Sequence, residues 1–225
     1  MQILTKYKGG SLGNAQTADA LLAPNEAVML SREFFNNITA TGVDFTVTAG
    51  TAARETSYAT GVWGLVTVSS ADGHAYSIAP VVQFAAGRKV CFEAMVAVST
   101  IAASGSSFIG LSNTSGTVPV TTAGAMNGTQ DGVGFTFTTT AIAAVTGDGA
   151  TVTSTAVGTA AADTFVRLGF VVDGTSKVTF YVNGIEVATA TSGISTDVMF
   201  ETYATKYATA NKKILVDWMH LAYNR

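Results

Sequence analysis

Paired carboxylates are the first candidates for catalysis, because two carboxyl groups about 5 Å apart can hydrolyse a glycosidic bond with retention. A strand that carries Glu-x-Asp-x-x-Glu would supply such a pair. Glu93 lies alone in its strand-like segment, and Met95 stands two residues on, where a second carboxylate would be needed. The sequence therefore predicts no glycosidase site.

Histidine and cysteine chemistry is limited to three side chains. His74 lies in the turn-like sequence DGHAY and His220 lies near the end of the chain, and we interpret both as structural. The lone Cys91 lies within VCFEAMVAV, a strand pattern that predicts a buried thiol acting as a small apolar residue. No Cys/His spacing suits zinc, and no G-x-x-x-x-G-K-S/T loop is present to hold phosphate. We therefore expect that the chain is not an enzyme and that it has no catalytic, cofactor-binding or metal-binding residues.

Asp and Asn residues in loops could bind calcium, which takes about six to eight oxygen ligands. The candidates are Asp72, Asn113, Asn127, Asp131 and Asp148. No loop gathers carboxylates as D-x-D/N-x-D/N-G does, and Asp and Asn are common turn formers. The sequence favours a turn-forming role for each of them.

A sugar ring can stack on an exposed aromatic side chain, while Asn or Asp side chains at the rim bind its hydroxyl groups. The aromatic candidates are Tyr58, Trp63, Tyr203 and Tyr207. Trp63 and Trp218 lie in strong strand patterns, so core packing is the favoured interpretation for both. Carbohydrate binding stays open as an alternative.

The elements that must position these side chains are best defined in residues 164–191. Side chains alternate with the two-residue period of a strand from Phe165 to Val172. Asp173-Gly174 and Asn183-Gly184 are turn signals, because glycine takes a positive φ at little steric cost. Residues 177–182 and 185–190 are then two further strands of an antiparallel meander.

Similar alternation recurs along the rest of the chain. Residues 88–99 alternate most clearly, with Val90 and Phe92 on one face, and residues 107–112 are the predicted partner strand. Residues 213–223 are the predicted closing strand. Its alternation predicts one face with Ile214, Val216, Trp218 and His220, and another with Leu215, Asp217, Met219 and Leu221.

Short strands, frequent turn signals and the absence of an internal repeat predict one all-β domain over residues 31–225. The pattern is typical of an antiparallel two-sheet sandwich of about a dozen strands. Residues 1–30 differ and are predicted to form an irregular N-terminal arm. Within it, residues 15–22 are a predicted short helix that ends before Pro24. The arm packs either on a neighbouring subunit or on its own domain.

Charged residues make up 12% of the 225-residue chain, about half of the usual fraction. So little charge fits a permanent oligomer or a large assembly, and a Thr/Ser-coated monomer is the alternative. The net charge is −3 and no basic cluster is present, which argues against nucleic-acid binding. The sequence shows neither a secretion signal nor an apolar run of about 18 residues, so we expect assembly in a cytoplasm and no membrane span.

Two groups of residues carry a resemblance to a known family. The late hairpin contributes Phe165, Arg167, Phe170, Asp173, Gly174, Phe180, Tyr181, Asn183 and Gly184. The earlier strands contribute Phe92, Glu93, Ala94, Phe108, Ile109, Gly110, Leu111, Asp131, Gly132 and Phe135. Together they resemble the concanavalin A-like (laminin-G-like) jelly-roll domains found in structural proteins of tailed bacteriophage particles. The resemblance extends over residues 31–225 through short patterns and implies a jelly-roll sandwich.

The resemblance also implies a place in the virion. Its first implication is a capsid decoration (cement) protein that binds the shell surface, with the major capsid protein or other virion proteins as partners. A homo-oligomer, and specifically a trimer, is expected on the same ground. The alternative is a carbohydrate-binding adhesin module of a phage fibre or tail, with a glycan as its ligand. Neither implication requires a cofactor.

Overall fold

The computed structural model describes residues 27–33, 45–58, 61–67, 72–99, 105–113, 117–139, 141–206 and 212–224. All regular elements in these ranges are strands, and none of these residues forms a helix long and apolar enough to cross a membrane. The strands are β1 (Ala27–Glu33), β2 (Phe45–Ala49), β3 (Thr51–Arg54), β4 (Trp63–Val66), β5 (Gly73–Ser77), β6 (Val82–Gln83), β7 (Lys89–Val98), β8 (Ser106–Ser112), β9 (Asp131–Phe137), β10 (Ala141–Asp148), β11 (Val152–Thr159), β12 (Val166–Asp173), β13 (Lys177–Val182), β14 (Ile185–Ala190), β15 (Val198–Lys206) and β16 (Lys213–Asn224).

The strands form two antiparallel sheets of eight strands each. Sheet I has the order β14-β13-β12-β7-β16-β4-β3, and β1 also pairs with β16. Sheet II has the order β11-β10-β9-β8-β15-β5-β2, and β6 also pairs with β15. The predicted all-β, two-sheet antiparallel sandwich is therefore confirmed, although the described residues hold more strands than the dozen expected.

The core lies between the two sheets and follows the predicted alternation. Val90, Phe92 and the other even-numbered residues of β7 up to Val98 are buried in it. Phe92 stacks on Phe170 of the neighbouring strand at 5.0 Å, and Phe135 of sheet II meets Phe180 of sheet I edge-on at 5.5 Å. Aromatic contacts of this geometry tie strands together both within a sheet and across the sandwich.

The predicted meander is confirmed as β12, β13 and β14. At its second turn Asn183 and Gly184 both have positive φ angles, 51° and 82°, which is the geometry of a type I′ turn. At the first turn Gly174 has a φ of 62°, and the Ser176 N–H donates to the Asp173 carbonyl oxygen. Turns with positive φ match the right-handed twist of the flanking strands, which explains the glycines and the asparagine at these positions.

One predicted strand pairing is wrong. Residues 107–112 form part of β8 as expected, but β8 pairs with β9 and β15 in sheet II, whereas β7 pairs with β12 and β16 in sheet I. The segment between β7 and β8 crosses from one sheet to the other. Alternation shows that a segment is a strand, but it carries no information on which sheet the strand joins.

The predicted faces of the closing strand are correct up to Val216 and wrong from Trp218 onwards. A register shift between Val216 and Trp218 opposite β7 marks a β-bulge at Asp217. A bulge adds one residue to a strand and so exchanges the two faces beyond it. Ile214 and Val216 face the core before the bulge, and Met219 and Leu221 face it afterwards. The expected core position of Trp218 is therefore corrected: its ring lies half-buried on the outer face, 4.7 Å from the His220 ring.

The segment between β8 and β9 has a structural role over residues 117–130. Val118, Val120 and Met126 pack on the outer face of sheet II against Phe108 and Val145. This loop buries apolar side chains that a bare sheet face would expose. The predicted helix at residues 15–22 lies outside the described residues.

Candidate functional site

An open cleft lies on the outer side of sheet I, where the β3–β4 hairpin meets the start of β16. Its volume is about 390 Å³. It is lined by Glu55, Ser57, Tyr58, Ser99, Asp163, Lys213 and Leu215. We call this site the Tyr58 cleft.

The apolar part of the Tyr58 cleft comes from strand residues on the face opposite the core. Leu215 of β16 and Ala97 of β7 lie side by side and are buried together with Val62. Tyr58 packs on this cluster and meets the Phe165 ring edge-on, with ring centroids 5.6 Å apart and planes at 90°. The contact fixes the half-buried Tyr58 ring as a wall over an apolar floor.

Glu55 and Lys213 form the charged part of the wall. The Lys213 ammonium donates to Glu55 Oε1 at 2.8 Å, and both side chains remain partly exposed. The Glu55 N–H donates to the Val62 carbonyl oxygen and so anchors the hairpin. A Cβ atom on Gly64 would lie 2.2 Å from Glu55 Oε1, so the missing side chain of Gly64 makes room for this carboxylate.

Asp163 enters the cleft from the segment between β11 and β12. Its backbone has a φ of 54°, which Asp tolerates better than most residues, and its N–H donates to the Val98 carbonyl oxygen at 2.9 Å. The Tyr58 hydroxyl donates to Asp163 Oδ1 at 3.4 Å. Burial first, and then the Asp163 carboxylate, raise the pKa of the Tyr58 hydroxyl, so this group stays a hydrogen-bond donor at neutral pH.

This arrangement is suited to binding a polar molecule with one apolar face. The Tyr58 ring offers an apolar contact surface, while two carboxylates accept and Lys213 donates hydrogen bonds. Ser57 and Ser99 can do both. Small-molecule sites commonly combine an aromatic lining with a few convergent polar groups in this way.

The four aromatic residues predicted as sugar contacts lie in different parts of the chain's structure or outside the described residues. Tyr58 lines the cleft. Trp63, at 7% exposure, is buried in the core as its strand pattern suggested, and Tyr203 is fully buried in the same core. Tyr207 lies outside the described residues. Glu55, Asp163 and Lys213 were missed, because they come from three segments far apart in the sequence and form no local pattern.

Three of the calcium candidates lie together at one end of sheet II. Asn113 Oδ1 accepts from the Asp131 N–H at 3.1 Å, and Asn113 Nδ2 donates to Asp197 Oδ2 at 3.2 Å. The Ser195 hydroxyl donates to Asp131. Asp148 lies close enough to Asp131 to contribute to its raised pKa, of which burial is the largest cause. This network joins the ends of three strands and a loop.

The calcium candidates act through hydrogen bonds at turns or through an ion pair. Asp148 accepts from the Thr151 and Ala150 N–H groups at 2.6 and 3.1 Å, which lowers its pKa. Asn127 accepts from the Thr129 hydroxyl, and Asp72 pairs with Lys206 at 2.6 Å. Within the described ranges, no group of three His, Cys, Asp or Glu side chains could hold a metal ion.

The other titratable residues singled out in the sequence lie apart from the cleft. Glu93, with 7% of its side chain exposed, pairs with Arg167 at 3.3 Å and stands opposite His220 in the sheet. His74 lies in β5 and is buried, so its predicted place in a turn is wrong. Cys91 is buried as expected, and burial raises its pKa to about 11.

No protein-family model matches the sequence, and none of the curated proteins matches it. Solved structures do share its fold. The Bacillus licheniformis β-glucanase is 13% identical, with a TM-score of 0.58 over 88% of this chain and 98% of the glucanase. The Emp47p carbohydrate recognition domain is 10% identical, with a TM-score of 0.62 over 88% of this chain and 97% of that domain.

A carbohydrate esterase from the Shiga toxin-encoding bacteriophage phi24B has the same fold. It is 15% identical, with a TM-score of 0.58 over 87% of this chain and 98% of the esterase. At such identities the likeness establishes the fold alone. The fold is the jelly-roll sandwich of concanavalin A-like and glucanase-type proteins, as the sequence patterns implied.

The prediction that this chain is not an enzyme is wrong. It relied on the absence of a Glu-x-Asp-x-x-Glu strand, yet three glucanases and a carbohydrate esterase share the fold. Carboxylates need not share a strand to line one cleft, as Glu55 and Asp163 show in the Tyr58 cleft. Residues 9–13, GGSLG, also match the G-x-S-x-G pattern of serine hydrolases, but they lie outside the described residues.

Proposed function

We propose that this chain is a carbohydrate-binding module carried on the surface of a bacteriophage particle. The observation that carries the proposal is the Tyr58 cleft, in which a fixed aromatic ring stands beside two carboxylates and two serines. The C–H face of a pyranose ring packs on the aromatic ring, and its hydroxyl groups bind the carboxylates and serines. A lectin-like fold and a phage enzyme among the solved structures that share it support this proposal.

Replacement of Tyr58 tests the cleft directly. Tyr58→Ala removes the stacking surface, and we expect affinity for a bound oligosaccharide to fall by about tenfold or more. Tyr181→Ala is the control, because Tyr181 is another half-buried tyrosine of sheet I that lies outside the cleft. A glycan array identifies the ligand, and isothermal titration calorimetry then compares the three proteins.

Equal loss of affinity in both variants would move the binding site away from Tyr58. Absence of binding across neutral, amino and acidic glycans would reject the proposed function altogether. The protein is also incubated with each glycan that it binds, and the products are analysed for shortened or deacylated oligosaccharides. This measurement tests for hydrolysis, because glucanases and a carbohydrate esterase share this fold.

Membership of the virion is the second part of the proposal. A charged fraction of 12% favours a chain held in a large assembly, where it acts either as a fibre or tail module or as a homotrimeric decoration protein on the major capsid protein. Electron microscopy of purified particles labelled with an antibody to this chain separates these locations. Signal on the fibre or tail supports the adhesin, signal on the shell supports decoration, and unlabelled particles contradict both.

A further inference from the structure

Charge in the Tyr58 cleft is unevenly compensated. Glu55 is neutralised by Lys213 at 2.8 Å. Asp163 is exposed, and its side chain is bound by the Tyr58 hydroxyl; no Lys or Arg of the described residues forms an ion pair with it. The three charged side chains that line the cleft therefore leave one negative charge, and it lies at the edge of the aromatic ring.

A carboxylate at the edge of an aromatic ring is recognition chemistry for a cation. An ammonium group donates a charge-assisted hydrogen bond to the carboxylate and, when it lies over the neighbouring ring, is attracted to the ring face. An anionic sugar is repelled by Asp163, and Lys213 does not offset this repulsion because it is paired with Glu55. An uncharged N-acetyl group gains neither contribution.

We infer that the Tyr58 cleft selects oligosaccharides with a protonated amine beside the sugar ring, which are deacetylated amino sugars. This inference rests on the proposed carbohydrate binding and adds the class of sugar. An exposed ion pair and a cation–π contact each contribute a few-fold in affinity, so the expected preference for the amine over its N-acetyl form is about tenfold.

The test compares two ligands that differ in one group. The glucosamine tetramer and the N-acetylglucosamine tetramer are titrated into the protein by calorimetry, in low-salt buffer at mildly acidic pH where the amine is protonated. Wild type should bind the glucosamine tetramer about tenfold more tightly. Added salt should reduce that ratio, because the ion pair is exposed.

Asp163→Asn is the matched variant, because it removes the charge and keeps the shape, and Asn also tolerates the positive φ at this position. We expect the preference to fall to near unity while affinity for the N-acetylated tetramer is kept. Glu186→Gln removes a carboxylate from β14, outside the cleft, and should leave the preference unchanged.

Four outcomes would contradict the inference. A wild-type ratio of one, or a ratio that Asp163→Asn leaves intact, would exclude Asp163 as the selecting group. Binding of other neutral glycans without binding of either tetramer would reject the amino-sugar class and leave the proposed function standing. Absence of binding to any glycan would remove the proposed function itself.

Discussion

Gly110→Ala should lower the free energy of unfolding by about 4 kcal/mol, the largest effect that we expect from a single methyl group in this protein. Gly110 lies directly opposite Gly134 in the β8–β9 pair. A Cβ atom on Gly110 would lie 2.3 Å from the Val133 carbonyl oxygen and 2.6 Å from the Gly134 Cα atom. Both atoms belong to the backbone of a central strand, so they cannot move aside cheaply. The φ of 155° at Gly110 adds strain for any residue with a side chain.

Chemical denaturation followed by tryptophan fluorescence measures this loss, and Gly128→Ala is the control. Nothing lies within 4 Å of a Cβ atom at Gly128, and its φ is not positive. That substitution should be neutral or slightly stabilising, because alanine restricts the unfolded chain. Similar midpoints for the two variants would show that sheet II adjusts around Gly110 and that the close approach of the two strands is not required.

The same glycine pair shows what the sequence could and could not reveal. Gly110 belongs to the patterns that resemble jelly-roll domains, and those patterns identified both its strand and the fold. The reason for glycine lies in a strand more than twenty residues away. Local patterns report which face of a segment is apolar, whereas the need for a missing side chain arises from a contact between distant segments.

Local order was predictable wherever turn chemistry and alternation agreed. The Asn183-Gly184 turn followed from glycine and asparagine at adjacent positions, and the positive φ of both residues confirms it. The bulge at Asp217 was not predictable, because its flanking residues alternate without a break in the sequence. One extra residue in the pairing with β7 then moved Trp218 and His220 to the outer face.

The Tyr58 cleft was predictable only in part. Tyr58 was one of the four aromatic candidates for a sugar contact. Asp163 and Lys213 approach it because the end of β7 lies between the segment before β12 and the start of β16, as the hydrogen bonds of Val98 and Ser99 show. A search for carboxylates spaced along one strand misses a site that sheet topology assembles from several segments. The expectation that the chain is not an enzyme relied on the same search.

Acidification should destabilise the protein through His74, whose environment favours the neutral ring. The side chain is buried on β5, its Nδ1 atom lies 3.4 Å from the Thr48 hydroxyl, and its Nε2 atom finds no hydrogen-bond partner among the described residues. Its ring stands 5.3 Å from that of Tyr76. Burial lowers the pKa of His74 to about 4, although the nearby Asp72 acts in the opposite direction.

The unfolded chain has an ordinary histidine pKa of about 6.5, so it binds a proton between pH 6.5 and 4 while the folded protein does not. Stability therefore falls as the pH falls through this window, by about 3 kcal/mol in total, and is independent of His74 above it. Urea unfolding of wild type and His74→Gln at several pH values isolates this contribution, because glutamine keeps a polar group of similar size without titrating. The unfolding free energy of wild type minus that of His74→Gln should fall by about 3 kcal/mol from pH 7 to pH 4. A constant difference across this range would mean that the folded protein protonates His74 as readily as the unfolded chain does, which would require water or a hydrogen-bond acceptor to reach Nε2.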